Sequence, residues 1–60
     1  AEDVRQQMRT IARLPGGLRN VERTIGLARL LASREGEPLN VDHVRAAYQQ
    51  RAGQPLPEAA

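Results

Sequence analysis

Arginine is the residue type in this sequence best placed to do chemistry. Arg5, Arg9 and Arg13 recur at intervals of four, which sets them along one side of a helix. Arg19 and Arg23 repeat that spacing further on. A guanidinium is always charged and presents a planar fork of donors that grips phosphate oxygens in pairs. Arginines at this pitch can meet successive phosphates of a nucleic acid without reading its base sequence. The chain carries nine basic residues, all of them arginine. A GC-rich genome, which favours arginine codons, explains that bias as well as a phosphate-facing surface does, and the two readings are compatible. With a net charge of only +2, placement matters more than total.

Gly16-Gly17 lies between the two arginine runs. Two glycines at a helix N-terminus leave backbone amides free for an anion, and Arg19 is close enough to reach the same anion. A plain interhelical turn with a solvated arginine fits the spacing equally well. It is not a phosphate loop of the P-loop kind, because no lysine followed by serine or threonine stands at the required spacing. A helix, a short glycine-containing turn and a helix opening Leu18-Arg19-Asn20-Val21-Glu22-Arg23 also resembles a helix-turn-helix. Arg19, Asn20 and Arg23 would then read base edges. Against this, the second helix carries apolar residues on two sides, the mark of a helix packed in the middle of a bundle.

No catalytic constellation is present. Ser33 has no base at a sensible spacing. His43 has only its neighbour Asp42 as an orienting carboxylate, and it is expected on the surface in the first turn of a helix. A lone histidine in a chain without cysteine does not build a metal site. We expect no enzyme activity, no metal and no cofactor in this chain by itself.

The elements that must position the arginines are helices. Val4, Met8 and Ile11 share one face of a first helix over about 3–13, with the arginines roughly opposite. Pro15 ends it. A second helix runs over about 18–33, with Leu18, Val21, Ile25, Ala28 and Ala32 on one side and Leu27, Leu30 and Leu31 on another. Gly36 suits its end. Asn40 is a good N-cap for a third helix over about 41–51, which buries Val41, Val44, Ala47 and Tyr48 and stops at Gly53. The fold class is therefore all-α, a small three-helix bundle. Residues 1–53 form a helical domain, and 54–60, broken by Pro55 and Pro57, form a flexible tail.

Sixty residues make at most one domain, with a core of marginal size. No run is apolar enough to span a membrane and no signal peptide is visible, so a soluble chain is expected, and the absence of cysteine fits a cytoplasmic setting. The opening Ala1-Glu2-Asp3, without an initiator methionine, suggests a piece cut from a larger parent.

The run Ile11-Ala12-Arg13-Leu14-Pro15-Gly16-Gly17-Leu18-Arg19-Asn20, continuing to Leu39-Asn40-Val41-Asp42-His43-Val44-Arg45-Ala46-Ala47-Tyr48, resembles the C-terminal lid of AAA+ ATPases. Within that class it is most similar to the C-terminal domain of phage Mu B-type DNA transposition proteins. Ile11-Ala12, Pro15-Gly16, Leu18-Arg19, Leu27-Ala28, Asn40, Asp42, Arg45 and Ala47 stand at that family's spacing without a gap, and an aromatic occurs where Tyr48 stands. The likeness covers about two thirds of the chain. It implies a C-terminal domain of an ATP-dependent protein that binds double-stranded DNA non-specifically, self-assembles, meets a transposase and works in the bacterial host cell. By that likeness Arg19 would be the arginine that senses the γ-phosphate of ATP held by the parent's core; the spacing of Arg5, Arg9, Arg13, Arg19 and Arg23 makes them the residues expected to face DNA. The family domain has a further helix upstream, whose loss would leave one face of the bundle bare. A lid that senses nucleotide and supports oligomerisation, with no DNA contact, is the alternative.

Overall fold

In the computed structural model, which describes residues 2–57, three α-helices form and no strand occurs among those residues. They are α1 (Val4–Ala12), α2 (Gly17–Glu35) and α3 (Val41–Ala52). The all-α bundle expected from the periodicity is the one observed.

The helix ends are set by local chemistry. α1 starts one residue late because Asp3 is its cap: the carboxylate accepts from the Gln6 amide at 2.7 Å. α2 runs two residues past the expected end because Gly36, at φ 68°, is the residue that leaves the helix. The Gly36 amide donates to the Ser33 carbonyl at 3.1 Å and the Glu37 amide to the Ala32 carbonyl at 3.0 Å, which is the Schellman closure of a helix end. At the other end of α2, Gly16 has φ 100°, a left-handed value that any side chain would strain.

The core is small and drawn from all three helices. Ile11 comes from α1, Ile25 and Ala28 from α2, and Val44, Ala47 and Tyr48 from α3. Val4, Met8, Leu14, Val21, Leu27, Leu31 and Leu39 pack against it. α2 touches both other helices, most extensively α3, while α1 and α3 share the smallest interface. This is the central position that its two apolar sides predicted. Leu30 is the exception on the second side, 47% exposed.

Three residues depart from the expected pattern. Leu18 lies on the same side of α2 as Ile25, yet it is 76% exposed. It sits in the first turn, where no neighbouring helix covers it. Gln7 and Thr24, both polar, are fully buried. Gln7 is at i+3 from Val4, inside the apolar stripe, and its Nε2 donates to the Val41 carbonyl at 3.0 Å. Its Oε1 has no partner among the described residues.

Residues 54–57 are not helical, as their prolines require. Leu56 nevertheless folds back and packs against the core. The remainder of the expected tail, 58–60, lies outside the described residues.

Candidate nucleic-acid interface

Arg5 and Arg9 lie on α1 and Arg13 caps its end. All three are exposed, on the side away from buried Gln7 and Ile11. None has an ion-pair partner among the described residues. Arg19 and Arg23, on the first two turns of α2, are likewise exposed. They face a different feature, a cleft of about 470 Å³ whose lining also includes Gly16, Tyr48 and Arg51. The arginines proposed from sequence thus divide into an α1 row and a pair at the mouth of this cleft. The α1 arginines are not part of the cleft lining.

Arg51 is the functional candidate that sequence reasoning missed. It sits in the last turn of α3, and the packing of α3 on α2 carries it to the start of α2. Its Nη1 donates to Asn20 Oδ1 at 2.6 Å and to Thr24 Oγ1 at 3.0 Å. The second bond satisfies a hydroxyl that is otherwise buried, which explains why threonine is tolerated there. The first engages Asn20 Oδ1, the acceptor half of the donor–acceptor pair with which an asparagine reads adenine in a helix-turn-helix. The only signal in the sequence is the placement of Arg51 three residues after Tyr48, beside the buried face of α3.

The expectation for His43 is overturned. His43 is 4% exposed and buried beside the α2–α3 loop. Its Nδ1 accepts from the Asn40 amide at 3.1 Å. Asn40 Oδ1 in turn accepts from the amides of Asp42 and His43 at 2.9 and 3.2 Å. This is a capping box with histidine in the place usually held by glutamate or glutamine. An Nδ1 that accepts leaves the proton on Nε2, which donates to Glu35 Oε1 at 2.7 Å. The orienting carboxylate is Glu35, across the loop, and not Asp42. The reason is three-dimensional: the Schellman turn at Gly36 brings the end of α2 over the start of α3.

Glu37 joins this cluster. The His43 hydrogen bond, followed by one from Glu37, holds the Glu35 carboxyl below the ordinary carboxylate range. Glu37 is pushed the other way, because a hydrogen bond to Glu35 favours its protonated form and the neighbouring Glu35 charge disfavours its ionised one. The ligand-type atoms of Glu35, Glu37 and His43 lie within 4.8 Å of one another, so a metal has to be considered. A cation on Nε2 would move the imidazole proton to Nδ1, where it would collide with the Asn40 N–H that Nδ1 now accepts. The cluster fits a helix cap and not a metal centre. Both ring nitrogens are committed, so His43 is also unavailable as a base for Ser33.

The cap has a measurable consequence. Asn40→Ala removes the acceptor for two amides, and we expect a loss of about 1 kcal/mol, or about 4–8 °C in Tm for a domain of this size. A melt within 1 °C of the parent would show that the cap is irrelevant to stability.

These features define a class: a small helical module with an arginine-rich exterior, a structural histidine and no catalytic grouping among its described residues. A family model described as the Mu B transposition protein, C terminal, matches residues 1–50, and the chain belongs to that family. Comparison with curated proteins and with solved structures gave no match. No helix among the described residues is long and apolar enough to cross a membrane.

Proposed function

We propose that this domain supplies non-specific duplex-DNA binding to an ATP-dependent transposition protein of the Mu B kind, and that it helps to bring target DNA to the transposase. The observation that carries the reading is the α1 row: Arg5, Arg9 and Arg13, exposed and without an ion-pair partner among the described residues. Arg19 and Arg23 add a second basic surface at the cleft on α2. The parent, in this reading, is a AAA+ ATPase that self-assembles on DNA in the host cytoplasm.

The test is titration of the 60-residue chain with a mixed-sequence duplex at several salt concentrations. Neutralising three to five phosphates gives a slope of log K against log salt of about −3 to −5. The dissociation constant is expected near ~100 μM at physiological salt, independent of base sequence. A flat salt dependence, or no chemical-shift change on α1 with duplex present, would rule out the α1 surface.

A second reading attaches to Arg19. It lies in the first turn of α2, whose N-terminus has no side-chain cap, an arrangement suited to sensing the terminal phosphate of a nucleotide bound by the parent's core. Arg19→Ala would then leave this chain folded and weaken ATP-dependent assembly of the full-length parent. Normal hydrolysis and assembly in that variant would remove Arg19 from nucleotide sensing.

A further inference from the structure

Three arginines line one concavity. Arg19 and Arg23 line it from α2 and Arg51 from α3, with no acidic side chain among the described residues of its wall. Like charges brought together repel one another, and a bound anion relieves that repulsion. The cleft is also better ordered than a surface patch. Arg51 is pinned through Nη1 to Asn20 and Thr24, and among the described residues its Nη2 and Nε donors have no hydrogen-bond partner. The α2 N-terminus, with its first amides uncapped by any side chain, opens at the same place, and Gly16 lines the wall there with no side chain in the way.

We propose that the cleft between the start of α2 and the end of α3 is a binding site for one phosphate group, held by Arg19, Arg23 and Arg51. The proposal extends the reading of Arg19 and Arg23 as phosphate-facing, adds Arg51, and separates this site from the α1 row. Arg51 acts as the fixed member: the bonds to Asn20 and Thr24 set its orientation before the anion arrives, so less side-chain freedom is lost on binding. Arg19 and Arg23 close on the anion from the other side. A phosphate group reaches such a site either from the DNA backbone or from a nucleotide.

The test begins with inorganic phosphate titrated into the full 60-residue chain, followed by NMR at constant ionic strength with chloride as the control. Saturable shifts are expected at the Leu18 and Arg19 amides and at Arg51 Nε, and none at Arg5, Arg9 or Arg13. Arg23→Gln, which breaks no side-chain hydrogen bond or ion pair among the described residues, should weaken phosphate binding about tenfold. Arg51→Lys keeps the charge but not the fork and should weaken it to a similar degree, while a melt checks that the fold persists. ATP and a duplex are then added in separate competition arms. Displacement of phosphate by ATP marks a nucleotide as the source, and displacement by duplex marks the DNA backbone. Shifts that chloride reproduces, an Arg23→Gln variant that binds phosphate normally, or phosphate displaced by neither competitor, would each overturn the site, the last as an adventitious ion only. Replacing Arg5, Arg9 and Arg13 by glutamine should leave phosphate binding intact, so that failure of the α1 surface and failure of the cleft give different results.

Discussion

Ile11→Ala is expected to cost the bundle about 2–5 kcal/mol. Ile11 is fully buried and is the central contribution of α1 to the core. Truncation removes its apolar area from the interior and leaves a cavity among Ile25, Val44 and Tyr48 that short helices close only in part. A domain of this length has roughly 3–9 kcal/mol of stability in all, so the loss is comparable to the whole. The expected result is a chain largely unfolded at 37 °C, read as a collapse of the helical circular-dichroism signal or a Tm lowered by at least about 10 °C. Leu18→Ala is the matched control. Leu18 is as apolar but mostly exposed, so its truncation should move stability by no more than about 0.5 kcal/mol. If both variants melt alike, burial as described is not what stabilises the fold.

Changing Arg5, Arg9 and Arg13 together to glutamine is expected to weaken duplex binding by about 10²–10³-fold at low salt. Each neutralised phosphate contributes about 0.9 × log(1/[salt]) to log K, or about 15-fold at 50 mM. Three such contacts give ~10³ as a ceiling, lowered because glutamine still donates hydrogen bonds. The salt slope should fall by about 3 at the same time. Glutamine is a good helix former and all three positions are exposed, so the melt should be unchanged. A variant that keeps both affinity and slope would place DNA elsewhere on the domain.

The helices were legible in the sequence because their signals are local. Apolar residues at spacings of three and four, Pro15 and Gly36 as stops, and Asn40 as a cap act through contacts within one or two turns. Backbone geometry converts those spacings into faces without help from the rest of the chain. The central place of α2 was legible for the same reason, since two apolar sides need two neighbours. The ends of α1 and α2 shifted by one or two residues, because cap bonds at Asp3 and the Schellman turn at Gly36 choose among neighbouring stops. The family, too, was visible in ungapped spacing, and the family model covers residues 1–50.

What packing alone decided are the contacts between residues far apart in the chain. Nothing near His43 in sequence announces Glu35 as its partner, eight positions away across a turn. Nothing near Arg51 announces Asn20 and Thr24, about thirty positions earlier. Gln7 and Thr24 look like surface residues by type, and they are buried because the helix faces they occupy meet a neighbour. Leu18 looks like core, and it is exposed because the bundle ends before reaching it. Residue type and spacing determine which way a side chain points from its own helix. Whether another helix stands there, and which polar group it offers, depends on how the three helices cross, and that is set by the sum of many weak apolar contacts spread over the whole chain.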